Sequence, residues 1–170
     1  GGIEEGICQD LAVPFRTLPV EGWPRGKSLR RAWVAVKLAA CVAQAALYIR
    51  KFRPQVVLGV GGYVSLPLMY AAQRMGVPTV IHEQNRLLGM ANRMLAPKAA
   101  RILLSFPDTV GAYPAERARV VGNPVREPVR ALRDSPYRPP GEGRVIDLLV
   151  FGGSQGAASF GEVVPQAVLS

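Results

Sequence analysis

Four polar side chains in succession, His82, Glu83, Gln84 and Asn85, follow the apolar run Thr79, Val80, Ile81. His82 is the single histidine of the chain. An imidazole titrates near neutrality, so beside Glu83 it could serve as base, as acid or as a diphosphate ligand. The same pair could instead bond to nearby backbone and shape the loop. Asn85 offers a donor and an acceptor from one amide, which suits sugar hydroxyls. A second candidate lies at GGSQGA, from Gly152 to Ala157, after the apolar run Val145 to Phe151. A strand, then glycines, then a helix start lets an anion approach bare backbone while helix N–H groups point at it, and Ser154 could add a hydroxyl donor. A tight turn between strand and helix needs glycine anyway, so this loop alone says little. Arg126, in GNPVR after Val120 and Val121, could present a guanidinium fork to a phosphate or to sugar hydroxyls, or be a surface arginine in an arginine-rich chain.

These groups need elements to hold them. Val56, Val57, Leu58 and Val60 show no polar alternation, as expected of a parallel strand covered on both faces. Gly59, Gly61 and Gly62 break that run. Ser65 is placed to cap the next helix, Pro67 suits its first turn, and Gly76 with Pro78 closes it. Thr79 to Ile81 is the next strand. In an open parallel sheet ligands bind outside the carboxyl ends of strands, so the glycine loop and the His82–Asn85 loop should share one cleft.

Further elements follow by pattern: a short helix over Ile3 to Leu11, a strand over Phe15 to Val20, a helix over Leu87 to Leu95 and an apolar strand over Ala99 to Leu104. The longest helix runs from Leu29 to about Phe52. Leu29, Trp33, Val36, Ala40, Ala43 and Leu47 recur at helical spacing and predict one buried stripe, beside a second apolar stripe of Val34, Leu38, Cys41, Ala45 and Tyr48. The segment from Ala32 to Ile49 is near the minimum length for crossing a membrane, but Lys37 and Gln44 interrupt it. Packing between sheet and helices is the alternative. A third reading sees Arg25, Lys27, Arg30, Arg31 and Lys37 around Trp23, Trp33 and Val34 as a surface that docks on an anionic bilayer.

Twenty-one Lys and Arg against twelve Asp and Glu give a net charge of +9, which calls for an anionic partner such as phosphate or an acidic membrane unless it reflects genomic bias. No basic-aromatic motif for RNA or DNA is present. With 49% hydrophobic and 19% charged residues, the chain can bury a core. Cys8 and Cys41 have neither metal-ligand nor redox spacing. The chain opens on Gly1 rather than Met and reads as cut from something longer. Three prolines and two glycines within Arg133 to Arg144 mark a domain boundary. The expected layout is a domain over 1–132, a linker over 133–144 and the start of a second domain over 145–170.

GVGGYVSLP, HEQN, GMANRMLAP, VVGNPVR and GGSQGA, in this order and spacing, resemble the MurG family over essentially the whole chain. The family's members are bacterial transferases that move N-acetylglucosamine from UDP-N-acetylglucosamine onto lipid I, the undecaprenyl-diphosphate muramyl-pentapeptide, in peptidoglycan synthesis. The resemblance implies an α/β fold of GT-B type, two Rossmann-like domains facing across a cleft. Here the first βα unit of the N-terminal domain is absent and the second domain is represented by its first strand, loop and helix. It also implies an inverting reaction without cofactor or metal, and a peripheral position on the cytoplasmic face of the plasma membrane, through a hydrophobic patch with a basic rim that matches Trp33, Val34, Arg30, Arg31 and Lys37.

By the same resemblance Asn85, Arg126 and Ser154 contact the donor, and Gly152, Gly153, Gln155 and Gly156 belong to its phosphate loop. Gly61, Gly62 and Tyr63 match the loop assigned to the acceptor diphosphate. The base is left open between His82, Glu83 and the histidine of a GGTGGH-type loop that this chain does not contain. Leu66 and Leu68 depart from the family's glycine-rich continuation. On this reading the 170-residue piece is inactive by itself. The competing readings are a non-catalytic membrane-docking and acceptor-binding half of a two-part lipid-linked transferase, a transferase for another lipid such as diacylglycerol, and a bare phosphate-binding module.

Overall fold

The computed structural model describes residues 3–22, 30–136, 149–150 and 158–169. They part into two compact units, Gly1–Val125 and Arg126–Ser170. The first holds a four-stranded, wholly parallel sheet in the order β1 (Val57–Gly59), β2 (Thr79–Glu83), β3 (Arg101–Leu104), β4 (Ala118–Val120). Its register runs Leu58 to Val80, Ile81 to Ile102 and Leu103 to Arg119. Helices α1 (Ile3–Asp10), α2 (Arg30–Phe52), α3 (Gly62–Arg74) and α4 (Met90–Leu95) complete that unit, with 3₁₀ turns at Ala96–Lys98 and Ala115–Arg117. The second unit contains α5 (Glu127–Arg130) and α6 (Ala158–Leu169), the latter at the expected final helix.

The core is one cluster. Ile81, Ile102 and Leu104 from the sheet meet Met69, Ala71 and Ala72 of α3, Leu95 of α4, and Ala45 and Ile49 of α2. Burying a side chain the size of Ile81 or Ile102 contributes about 1.5–3 kcal/mol. Helix α3 lies so close to β1 that a Cβ on Gly59 would stand 2.8 Å from Met69 Cγ. A side chain at 59 would have to displace the buried Met69 side chain.

Several expectations are corrected. On β1 the sheet is covered on one face only: Val57 is buried, whereas Leu58 is 57% exposed and its neighbours Val56 and Val60 are exposed too. Among the described residues the helices that pack on this sheet are on the Val57 and Ile81 side.

The stripes of α2 are exchanged. Val34, Cys41, Ala45 and Ile49 are buried, and Trp33, Val36, Ala40, Ala43 and Leu47 are exposed. Both stripes are apolar, so periodicity could not rank them, and the small side chains of the second let α2 approach α3. Leu29 lies outside the described residues. Although α2 is long and apolar enough to cross a membrane by length and composition, one of its faces is committed to the core.

Ser65 does not cap α3. The helix starts earlier, with Gly61 as N-cap at φ 85°, and Ser65 Oγ donates to the Gly62 carbonyl at 3.0 Å from within the first turn. Pro67 consequently lies inside the helix. Two glycines with positive φ let the chain turn before Ser65 is reached.

Residues 15–20 form no strand, because no described strand lies beside them; Leu18 packs on the core instead. Helix α4 begins at Met90 rather than Leu87, since Leu87 bridges to Val110 and the Leu88 N–H donates to the Val110 carbonyl at 2.9 Å. Residues 145–148 and 151, most of the expected strand at 145–151, lie outside the described residues. Leu149 and Val150 belong to no regular element.

Candidate functional site

Strand β2 runs on through His82 and Glu83, so both side chains are held by the ladder before the turn begins. His82 is 7% exposed, and its Nε2 lies 3.1 Å from the Gly122 carbonyl. A carbonyl only accepts, so Nε2 carries the proton in this contact and Nδ1 is the nitrogen able to take one.

Glu83 is 2% exposed and anchors the turn. Its Oε1 accepts from the backbone N–H and from Nδ2 of Asn85, each at 3.0 Å. Its Oε2 accepts from the Gly89 N–H at 2.8 Å and from Asn92 Nδ2 at 2.9 Å. Burial pushes this carboxyl up, but the donors of Gly89, Asn92 and Asn85 outweigh it, and the group is held below the ordinary glutamate range. With four donors on two oxygens the geometry favours the loop-shaping role over proton transfer. Asn92, which sequence reasoning did not single out, also donates to the His82 carbonyl at 3.2 Å, and its own Oδ1 is buried without a partner. Its signal was faint, an amide two residues into a short apolar helix.

The two loops do come together. A Cβ on Gly61 would lie 3.5 Å from Asn92 Nδ2 and 3.8 Å from Gln84 Nε2. Gly61 and Gly62 take φ of 85° and 77° and open α3 without a side-chain cap. The uncapped start of α3 thus lies beside the end of β2, and free N–H groups at a helix start suit an anion. Over the carboxyl-terminal part of the sheet a groove of about 620 Å³ is lined by Leu58, Val60, His82, Gln84, Leu103 and the segment Val121 to Pro124. The far side of the turn is tied down as well: Val110 N–H donates to the Arg86 carbonyl at 2.7 Å, and Arg86 pairs with Asp108. Asn85 is exposed, with its amide held at one end by Glu83.

Arg126 is the exposed N-cap residue of α5 in the second unit, and its carbonyl accepts from Val129 and Arg130. Gly152, Gly153, Ser154, Gln155 and Gly156 lie outside the described residues, as do Trp23, Arg25 and Lys27. Among the described residues no group of three or more His, Cys, Asp or Glu is placed to hold a metal.

At the start of α2 the expected membrane-contact residues divide. Trp33 is 59% exposed, and Lys37 Nζ stands 5.6 Å from its ring centroid. Lys37 also donates to Glu21 at 3.1 Å, and Arg30 reaches the same carboxylate at 3.7 Å. The hydrogen bond from Lys37 holds the Glu21 carboxyl below its usual range. Arg31 is half-buried. Val34 is the correction: at 3% exposed it faces the protein interior and cannot touch a bilayer.

Residues 1–104 match the glycosyltransferase family 28 N-terminal domain. A Phenylobacterium zucineum protein named UDP-N-acetylglucosamine--N-acetylmuramyl-(pentapeptide) pyrophosphoryl-undecaprenol N-acetylglucosamine transferase is 50% identical over 168 residues, 96% of this chain and 46% of its own. A Rhodospirillum centenum protein of the same name is 49% identical over 145 residues, 84% of this chain and 38% of its own. The crystal structure of Acinetobacter baumannii MurG is similar with a TM-score of 0.66 and 26% identity, covering 98% of this chain and 46% of that one. This chain therefore spans less than half the length of these relatives.

Proposed function

This chain belongs to glycosyltransferase family 28, and from that membership we propose that the protein it comes from transfers N-acetylglucosamine from UDP-N-acetylglucosamine to lipid I, forming lipid II. The resemblance to the MurG family and the α/β, GT-B-type fold class drawn from the motifs are both borne out by the relatives and the solved structure. The observation that carries the proposal is the meeting of the Gly61 turn with the His82–Asn85 turn at the carboxyl ends of β1 and β2.

In this reading the acceptor diphosphate lies at the amide groups that open α3, between Gly61 and Tyr63. Asn85, held from behind by Glu83, presents the rest of its amide to the donor sugar. The acceptor hydroxyl loses its proton to a base as it attacks the anomeric carbon, and UDP departs with the bonding pair. Of the two candidates His82 and Glu83, His82 offers Nδ1 to that proton and Glu83 is assigned to positioning.

The test uses the longest reading frame that contains this chain, given UDP-N-acetylglucosamine and a lipid I analogue. Formation of the disaccharide-linked lipid is expected. A protein that folds and binds the lipid I analogue, but neither binds UDP-N-acetylglucosamine nor transfers sugar, would instead support the non-catalytic acceptor-binding half.

The same protein is assigned to the cytoplasmic membrane surface as a peripheral protein. The support is the exposed apolar stripe of α2, Trp33, Val36 and Leu47, with Arg30, Arg31 and Lys37 at its N-terminal end. Trp33→Ser with Leu47→Ser is expected to weaken sedimentation with phosphatidylglycerol vesicles by about tenfold, through lost apolar burial. Unchanged sedimentation would remove this face from the membrane.

A further inference from the structure

A second cavity, of about 550 Å³, lies between the N-terminal half of α2, the start of α3 and α4. That is within the range of about 300–1,000 Å³ typical of small-molecule sites. Leu38 and Val42 of α2, Leu66 and Tyr70 of α3, and Met90 and Met94 of α4 form its walls. Among the described residues its one charged lining residue is Glu21, whose carboxylate is occupied by Lys37 and Arg30. Walls so largely apolar favour a hydrocarbon ligand. The two methionines are flexible and polarizable, which suits a chain of variable conformation better than a rigid ring system.

Where the cavity leads decides what chain that is. Tyr63 lines it, and Tyr63 directly follows Gly61 and Gly62, whose turn opens α3 with no side-chain cap. One residue therefore stands between an anion-ready backbone and an apolar cavity. An amphiphile with a diphosphate at one end and a hydrocarbon chain at the other would fill both. We propose that the cavity takes the proximal polyisoprenoid chain of a lipid-linked diphosphate whose diphosphate rests at the Gly61–Tyr63 turn. This rests on the acceptor reading above and deepens it, since it makes the lipid chain a recognised part of the substrate rather than an anchor left in the bilayer.

The test is binding, not turnover. Isopentenyl diphosphate and geranylgeranyl diphosphate are titrated calorimetrically into the longest reading frame containing this chain. The longer chain is expected to bind at least about tenfold more tightly, as buried methylene groups accumulate. Ala39→Trp, which sets an indole into the cavity, is expected to abolish most of that preference while leaving isopentenyl diphosphate unchanged. Should Ala39→Trp fail to fold by circular dichroism, Ala91→Leu makes a smaller intrusion from α4 and is expected to give a partial loss. Equal affinities for the two diphosphates, or a preference that survives the folded variants, would overturn the proposal. Displacement of the longer diphosphate by a diacyl phosphatidylglycerol in detergent would also overturn it, by making the occupant a membrane acyl chain. Failure of the transferase reading shows separately, as absence of sugar transfer by a protein that still prefers the longer chain.

Discussion

Replacing Glu83 by alanine is expected to lower unfolding free energy by about 3–5 kcal/mol and to abolish sugar transfer in the parent protein. The carboxylate is the common acceptor for Asn85, Gly89 and Asn92. Its removal strands four donors near a cavity that alanine cannot fill. Glu83→Gln keeps the volume but replaces one oxygen by an amide nitrogen, which sets donor against donor on one side of the turn. Its cost should be smaller than that of alanine and still measurable by urea denaturation. Equal stability of wild type and Glu83→Ala would mean that the turn is held by something other than this carboxylate.

The same contacts fix the sign of a pH dependence. Glu83 is held below its ordinary value in the folded state, so its ionised form stabilises the fold above the unfolded-state value of about 4.3. That contribution is lost as pH falls through the folded value, because the unfolded chain takes up the proton first. Acid unfolding of the wild type should accordingly be steeper below about pH 4.3 than that of Glu83→Gln.

Much of this site was legible in the sequence, and the illegible part has particular causes. The order strand, glycines, helix, strand, polar turn was set by apolar runs and glycines that have few alternatives, and it correctly brought residues 61 and 84 to one place. The register of α2 was not legible. Both of its stripes are apolar at helical spacing, so the pattern could not choose between them, and the packing of Cys41 and Ala45 into the interior decided it. The start of α3 was misplaced because Ser65 is an ordinary cap residue, whereas positive φ at Gly61 and Gly62 is a backbone property that no side chain announces. Glu83 read as a candidate acid or base because its type permits that. Only the positions of Gly89 and Asn92, six and nine residues on, show its oxygens to be occupied.

Asn85→Ala is the other substitution expected to act strongly, and it acts in the opposite way to Glu83→Ala. Asn85 is exposed, and alanine keeps its backbone bond to Glu83 Oε1, losing only the bond from Nδ2. The stability cost should stay within about 1 kcal/mol. The amide itself is the group proposed to meet the donor sugar, so the rate should fall by about a hundredfold or more, with a weaker apparent affinity for UDP-N-acetylglucosamine and an unchanged one for the lipid. Asn85→Asp is expected to do no better, since it sets a second carboxylate against Glu83 Oε1.

The most direct measurement is therefore steady-state transfer by the longest reading frame containing this chain, wild type against Asn85→Ala, with the unfolding midpoint of each recorded beside the rates. The predicted result is transfer by the wild type and a loss confined to kcat and the donor KM in a variant of near-wild-type stability. Transfer that is untouched in Asn85→Ala, or a wild type that moves no sugar, would contradict the assignment of this turn to a glycosyl-transfer site.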